Sequence, residues 1–316
     1  MEAVLKNLAS TAELLAVAAQ SGVVEQWDKQ TLSRAFHWAQ YCEHLFSRFH
    51  NNLAIREIME KQLQLTNQSL RAAFPGYTEL SFSDLSRCQH LLLVGLLKNP
   101  ELPISIMKIL FDTTSPVNTQ QNLSAVGADA EVQGAMLMER LDALLSQGSE
   151  ACRTEHILDS VLQGCEGAAG HFCQVIAAAL LTTTNSDTKT ASQDFILDWL
   201  QNKHSMLQHM CSRLPTTLII DLAKEHLQFR CAYCDVLKQW ASDMEYSINE
   251  GEWVQTSTNR TVSFQRLTEH FLALFEAFPS LRDDVEKELN ALKISDGDFD
   301  VRGLSVWGDL LSAFNK

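Results

Sequence analysis

The stretch "WDKQTLSRAFHWAQYCEHLFSRF", Trp27–Phe49, decides the fold class because its apolar side chains recur with the period of an α-helix. The residues that share this stripe are Leu32, Ala35, Phe36, Ala39, Cys42, Leu45, Phe46 and Phe49. Spacings of three and four residues place side chains on one face of a helix. Asp28 precedes the stripe, where a carboxylate accepts a hydrogen bond from a free backbone N–H. We therefore predict a helix that begins just after Asp28.

The same period recurs in almost every other segment, so the predicted fold is all-α. We predict an N-terminal helical domain over residues 1–112 and a polar linker without a steady period at residues 113–128. Residues 129–316 are predicted to form a HEAT-like helical-repeat domain, because short helices follow one another as antiparallel pairs. No fixed sequence period accompanies these pairs.

One segment of the second half departs from the helical pattern. We predict a helix over residues 226–248, followed by the polar loop "NEGEWVQTSTNRTVS", Asn249–Ser263, which contains Trp253. Loops of this length within compact domains are often functional.

The charge distribution bears on the class of partner. The net charge is −14; residues 1–125 carry 10 Lys/Arg and 11 Asp/Glu, so the excess of acid lies in the second half. Nucleic-acid binding needs clustered Lys and Arg that neutralise phosphates, so we expect no direct binding of nucleic acid. Since no apolar run reaches transmembrane length, we expect no membrane partner.

The cysteines raise the question of a metal site. Eight are dispersed along the chain, and we predict that they are reduced core thiols. His226 with the pair Cys231 and Cys234 is the best candidate for zinc. However, the pair lies in the middle of a predicted helix, in an apolar stripe with Leu227 and Leu237, and no second pair follows. We therefore interpret the two cysteines as core residues and predict no metal site.

No established catalytic signature occurs in the chain. The glycines of "GCEGAAG", Gly164–Gly170, follow a helix rather than a strand, which favours a turn between helices over a phosphate-binding loop. We expect no enzymatic activity, no catalytic residues, no cofactor and no small-molecule ligand.

The segment "SDGDFDVRGLSVWGDLLSAF", Ser295–Phe314, places aspartates at positions 296, 298 and 300. An EF-hand loop beginning at Asp296 would need glycine where Val301 stands and glutamate where Trp307 stands, so calcium binding is not expected. Two interpretations stay open: the short helix that follows caps the last repeat, or the acidic loop presents Phe299 to a partner.

Several of these stretches resemble one family. "DGDFDVRGLSVWGDLL" near the C-terminus resembles the end of the Fanconi anaemia complementation group F family, and "ELLAVAA" with "WDKQTLSRAFHWAQYCEHLFSRF" resembles its beginning. Between residues 76 and 150 the resemblance is poor. The shorter stretches "CQVIAAALL" and "DWL" agree with the family in order.

The resemblance implies a non-enzymatic adaptor of the nuclear Fanconi anaemia core complex, a multisubunit ubiquitin ligase of interstrand-crosslink repair. Its N-terminal domain would bind the group C protein, in a subcomplex with group E. Its C-terminal domain would contact the group A and group G proteins and link to the group M translocase. A generic helical-repeat scaffold of another intracellular complex and a metal-binding helical protein are the alternatives.

Aromatic and apolar residues are the candidate partner-binding residues. In the N-terminal half they are Leu14, Leu15, Trp27, Phe36, Trp38 and Phe46, as a mixture of core and group C interface. In the C-terminal half they are Tyr246, Trp253, Phe299 and Trp307, which lie in or beside loops.

Overall fold

The structure, a computed structural model, describes residues 1–20, 22–103, 106–107, 109, 128–146, 158–159, 169–182, 191–256 and 262–315. Within these ranges the regular structure is helical apart from one short hairpin, which confirms the predicted all-α class. No helix in them combines the length and apolarity needed to cross a bilayer. The predicted linker lies outside them except for the helical backbone of Ala128, so the predicted domain boundaries stay a prediction.

The chain divides into two compact units. In the first, α1 packs against α3 and α4, and α2 also packs against α4. The elements of this unit are α1 (Glu2–Gln20), a 3-10 helix (Gly22–Gln26), α2 (Lys29–Phe49), α3 (Leu53–Ala73), a second 3-10 helix (Ser83–Arg87), α4 (Cys88–Leu96) and residues 132–146 of α5 (Ala128–Ser146).

The helix predicted from the opening stretch is α2. Asp28 caps it, since its Oδ1 accepts a hydrogen bond of 2.8 Å from the backbone N–H of Thr31. The predicted stripe is buried over most of its length, while Phe46 and Phe49 at its end are half-buried. The capping carboxylate and the apolar period together place α2 against the core of the first unit.

The second unit is also formed mainly of helices, and those described are shorter than α1, α2 and α3. Its elements are residues 173–181 of α6 (Ala169–Leu181), residues 193–202 of α7 (Ala191–Asn202), α8 (His204–Arg213), α9 (Thr216–Glu225), α10 (Leu227–Ser242), β1 (Met244–Ser247), β2 (Glu252–Gln255), α11 (Phe264–Ala277), α12 (Pro279–Ser295) and α13 (Val306–Phe314). α9, α10 and α11 contact one another, and α11 to α13 form a second contacting group. The fully buried Tyr233, Phe271 and Leu310 lie in this core.

The prediction for residues 226–263 was wrong in two respects. The long helix ends at Ser242 rather than Ile248, and part of the predicted loop forms an antiparallel hairpin with β1. Tyr246 pairs with Trp253 in its register, and residues 248–251 make the turn. Aromatic pairs across strands stabilise such short hairpins, which explains why this one forms beside the helices.

The prediction that the cysteines are core thiols was partly wrong. Cys42, Cys88, Cys173 and Cys211 are buried, but Cys231 is exposed on α10 and Cys234 is only half-buried. Leu227, assigned to the same stripe, is also exposed, because the buried face of α10 runs through Phe229, Tyr233 and Val236. Of the predicted stripe, Leu237 is buried. Cys152, Cys165 and residues 164–168 of the glycine-rich turn lie outside the described residues.

Candidate partner-binding surface

The loop between α12 and α13 carries the acidic residues and Phe299. The ammonium of Lys293, in the last turn of α12, lies 3.2 Å from Asp298 Oδ1 and 2.5 Å from Asp300 Oδ1. Hydrogen bonds to Asp300 and Asp298 raise the pKa of Lys293 above its ordinary value. A cation bound by these two carboxylates would therefore have to displace the ammonium. Within the described ranges, no three His, Cys, Asp or Glu side chains are grouped to hold a metal ion.

One carboxylate joins three elements of this region. Asp309 Oδ2, in the first turn of α13, accepts hydrogen bonds of 2.7 Å from Trp253 Nε1 and 2.9 Å from the backbone N–H of Gly303. The hairpin, the loop and α13 are thereby connected through one side chain. Such charge-assisted hydrogen bonds are stronger than neutral ones, so the loop is anchored at this end.

Tyr246 completes the contact between the hairpin and the loop. Its ring meets that of Trp253 edge to face at 5.5 Å, and its hydroxyl donates to the carbonyl of Gly251. The same ring lies over Gly303, which has a φ of +84°; a Cβ there would come within 2.8 Å of the ring. Glycine is therefore required at position 303, both for its backbone conformation and for the close approach of the tyrosine.

The anchored loop leaves apolar side chains in solvent. Ile294, Phe299, Val301 and Leu304 are all exposed, with Phe299 at 47%. We call these four residues the C-terminal surface. An open groove of about 500 Å³ beside Phe299 is lined by Asp283, Lys287 and Asn290, among others.

The four aromatic residues predicted here have different positions. Phe299 is exposed and Tyr246 half-buried, whereas Trp253 and Trp307 are buried. Trp253 and Tyr246 are in contact with each other and fix the loop that presents Phe299. The prediction missed Ile294, Val301 and Leu304, although aliphatic residues within an acidic, glycine-containing segment were a signal that could have identified them.

The six residues predicted in the N-terminal half are also distributed between core and surface. Leu15 and Phe36 are buried, whereas Leu14, Trp27 and Phe46 are half-buried. Trp38 is 41% exposed, with its ring edge to face with Tyr41 at 5.7 Å. Phe46 packs on Phe82, with ring centroids 5.3 Å apart. Of the six, only Trp38 presents a large aromatic side chain to solvent.

The fold and these surfaces define an all-α protein that presents aromatic and aliphatic side chains from anchored elements. The family profile described as "Fanconi anemia group F protein (FANCF)" matches residues 1–126 and 117–314, so the chain belongs to this family. It is therefore a protein of the Fanconi anaemia pathway of DNA repair and a complex subunit.

Relatives in two mammals agree with this assignment. The chain is 28% identical over 366 aligned positions to the Fanconi anemia group F protein of Homo sapiens, in an alignment that covers 100% of this chain and 95% of the human protein. It is 28% identical over 345 positions to the protein of the same name of Mus musculus, covering 98% of this chain and 97% of the mouse protein. The similarity thus extends over both compact units.

Proposed function

We propose that the chain is a non-enzymatic adaptor of the nuclear Fanconi anaemia core complex, a multisubunit ubiquitin ligase that acts in interstrand-crosslink repair. In this proposal it bridges a subcomplex of the group C and group E proteins to the group A and group G proteins and the group M translocase. Family membership over nearly the whole chain supports this role.

The single observation that carries the proposal is the position of Phe299. Phe299 stays 47% exposed although the loop around it is anchored by Lys293 and Asp309. Full burial of a phenylalanine side chain stabilises a protein by roughly 1.5–3 kcal/mol. Because Phe299 stays partly exposed, folding gains only part of this free energy. An apolar anchor within a polar rim is typical of interface hot spots, so the C-terminal surface is assigned to a partner.

The other aromatic residues contribute to the two interfaces in different ways. Trp38, with the half-buried Leu14, Trp27 and Phe46, is assigned to the interface with the group C protein. Leu15 and Phe36 are buried, so their contribution is to hold the shape of that face. In the C-terminal half the buried Trp253 acts in the same indirect way, because Asp309 joins it to Gly303 of the loop. Trp307 is buried in α13, so we propose that it too acts by holding the shape of this surface.

The helices of the second unit are proposed to form a HEAT-like stack, which would suit a scaffold. Short connections join α8 to α9 and α9 to α10, and helices adjacent in sequence contact each other from α9 onward. Stacked helix pairs present extended surfaces on which several partners bind side by side.

Replacement of Phe299 tests the proposal. We expect that Phe299→Ala in the full-length chain reduces recovery of at least one Fanconi subunit at least tenfold in affinity purification from cells, because truncation of a hot spot costs 2 kcal/mol or more. The matched control is Leu272→Ala, which removes a 40% exposed side chain of α11 outside the C-terminal surface. Both variants should keep the thermal unfolding midpoint of the unmodified chain.

Two outcomes would contradict the proposal, one the assignment of the C-terminal surface and the other the adaptor role. Equal recovery with Phe299→Ala and Leu272→Ala, in folded proteins, would show that the C-terminal surface is not the interface. Absence of every Fanconi subunit from purifications of the unmodified chain would instead favour the generic helical scaffold and reject the adaptor role.

A further inference from the structure

The outer face of α3 is a second exposed surface among the residues that the structure describes. The inner face of α3 packs against α1 through residues that include Met59, Leu63 and Leu70, all buried. On the opposite side Ile58 is 44% and Leu65 is 55% exposed. A helix at the surface of a globular protein normally carries polar residues on this side, so these two aliphatic residues need an explanation.

The exposed residues follow a heptad pattern. Positions 54, 58, 61, 65, 68 and 72 are separated by steps of 4, 3, 4, 3 and 4 residues, and all six are exposed. They are Ala54, Ile58, Lys61, Leu65, Gln68 and Ala72, and we call them the α3 seam. The seam extends for about 27 Å along the helix. Such alternating steps keep side chains facing a second helix that packs at a small crossing angle.

The charges of α3 lie to one side of this seam. Arg56 pairs with Glu60, and Arg71 pairs with Glu79, which lies beyond the end of α3. These residues and the exposed Glu57 are all outside the heptad positions. Only Lys61 among the six seam residues is charged. A solvated helix face would instead carry most of the charges, so the pattern indicates a contact face rather than a surface designed for water.

Lys61 determines which helix fits. In a parallel pair of two copies, Lys61 would face Lys61 of the second copy. In an antiparallel pair centred on the seam, each Lys61 would face Leu65, and the two ammonium groups would approach each other across the axis. None of the six seam residues is a carboxylate. Glu57, one helical turn before Lys61, is the nearest exposed carboxylate on α3, but it is not ion-paired with Lys61 in the described part of the chain, so it does not offset this repulsion. A single charged residue at a core position selects partner and register in helix pairs, so charge complementarity favours another protein.

We propose that the α3 seam binds an amphipathic helix of a different protein, with apolar residues at heptad positions and one Asp or Glu opposite Lys61. This rests on the proposed function only in that the chain acts by binding other subunits. The interface is separate from the C-terminal surface, because it lies on α3 within the first compact unit. The aliphatic residues supply affinity, and the ion pair at Lys61 supplies specificity.

A pair of designed peptides provides the probe. Both are amphipathic helices with leucine at the positions that would face the α3 seam. They differ only at the central one of these positions, which is Glu in one peptide and Lys in the other. Fluorescence anisotropy with the full-length chain should show the Glu peptide binding at least tenfold more tightly. Lys61→Glu should reverse this preference, which loss of folding alone would not do.

Variants of the aliphatic residues test the geometry. Ile58→Gln and Leu65→Gln should each weaken binding of the Glu peptide about tenfold, whereas Leu53→Gln should leave it unchanged. Leu53 is the matched control because it lies on the same helix and is 71% exposed, but is outside the seam. Glutamine is a good helix former, so the three variants should unfold at the same temperature as the unmodified chain.

The outcomes separate this inference from the adaptor proposal. Equal binding of the two peptides, or equal weakening by Leu53→Gln and Leu65→Gln, would overturn the inference. Sedimentation showing a dimer that Leu65→Gln dissociates would also overturn it, in favour of a second copy of the chain. In either case the adaptor proposal would be tested separately, by the recovery of Fanconi subunits in affinity purification with Phe299→Ala and with the unmodified chain.

Discussion

Gly95 of α4 lies against the backbone of α1. A Cβ at this position would be 2.5 Å from the carbonyl oxygen of Ala18. Alanine in place of glycine favours a helix by at most about 1 kcal/mol. Backbone atoms cannot move aside as a flexible side chain would, and overpacking costs about 1–3 kcal/mol. We therefore expect Gly95→Ala to lower the free energy of unfolding by about 1–2 kcal/mol, measured by urea denaturation.

Gly170 is the matched control for this substitution. It also lies in a helix, α6, but a Cβ there would meet no atom of the described residues within 4 Å. Gly170→Ala should therefore leave stability unchanged or raise it by up to about 1 kcal/mol. If both variants behaved alike, helix propensity rather than the approach of α1 to α4 would decide the effect at position 95.

His270 makes stability depend on pH. Its ring is buried, its Nδ1 lies 2.5 Å from the Tyr233 hydroxyl, and its Nε2 has no hydrogen-bond partner among the residues that the structure describes. The tyrosine hydroxyl can donate to Nδ1, which leaves the imidazole neutral with its hydrogen on Nε2, near the edge-to-face ring of Trp240. Burial, with a smaller contribution from the charge of Arg266, lowers the pKa of His270 from 6.5 to about 4.

The sign of the pH effect follows from proton binding. Between pH 6.5 and 4 the unfolded chain takes up a proton at His270 while the folded chain does not, so the free energy of unfolding falls as the pH falls. The full contribution is present above pH 6.5 and amounts to about 3 kcal/mol. Urea denaturation at several pH values gives the free energy of unfolding as a function of pH. Between pH 6.5 and 4 this free energy should fall less steeply for His270→Gln than for the unmodified chain. If the free energy of unfolding depended on pH equally in the two proteins, His270 would not be a buried neutral imidazole.

Sequence patterns were reliable for residues whose role is set by their neighbours in the chain. Asp28 could be identified as a cap because capping depends only on the next three residues. The burial of Cys231 could not be predicted, because an apolar stripe through Leu227 and one through Phe229 are both compatible with helical spacing. Which of them is buried is decided by the helices that α10 packs against, and this is a tertiary property.

At the scale of elements, Arg140 connects α5 to the turn that follows α4. Its guanidinium is buried and donates to the carbonyls of Leu97, Asn99 and Leu102, at 2.9, 2.6 and 3.3 Å. Burial lowers the pKa of Arg140 to about 10, so it stays charged at neutral pH. Asn99 in turn donates to the carbonyl of Val24. Carbonyl oxygens near the end of a helix carry partial negative charge, which compensates the buried cation in place of a carboxylate.

Removal of this guanidinium should destabilise the first unit strongly. Arg140→Met keeps the aliphatic stem but removes the hydrogen bonds to all three carbonyls, of which that of Asn99 still accepts from the backbone N–H of Leu102. We therefore expect a loss of about 3 kcal/mol in the free energy of unfolding. Glu139→Gln is the control, since it removes only an exposed pair with Lys98 and should change stability by less than about 1 kcal/mol. A difference between the two variants below 0.5 kcal/mol would show that the carbonyls find other partners.

The hairpin shows why one element was missed. Trp240, Ala241 and Met244 continue the helical spacing of α10, so the pattern extended the helix into β1. The four-residue strands are too short for alternation to be distinguished from helical spacing. Their pairing depends on Tyr246 meeting Trp253 and on Asp309 of α13, which lies more than fifty residues further along the chain. Contacts of that kind leave no periodic signal.

At the scale of the whole molecule, the sequence predicted the fold class because helical period accumulates over many segments. The position of the exposed surfaces was less predictable. Phe299 was identified because aspartates surround it, whereas the α3 seam was missed because both faces of α3 carry aliphatic residues at helical spacing. Only the packing of α3 on α1 shows which of its two apolar faces is covered.

The net charge of −14 gives the last prediction, which concerns nucleic acid. Affinity for duplex DNA comes largely from lysines and arginines that release counterions from phosphates, and non-specific binders reach dissociation constants of about 10⁻⁴–10⁻⁶ M. The excess of carboxylates in the second half of this chain opposes such binding at any orientation that brings it near the duplex. We expect no shift of duplex DNA by the purified full-length chain at about 10 µM and physiological salt in an electrophoretic mobility assay. A salt-sensitive shift would contradict this expectation and reveal a basic surface.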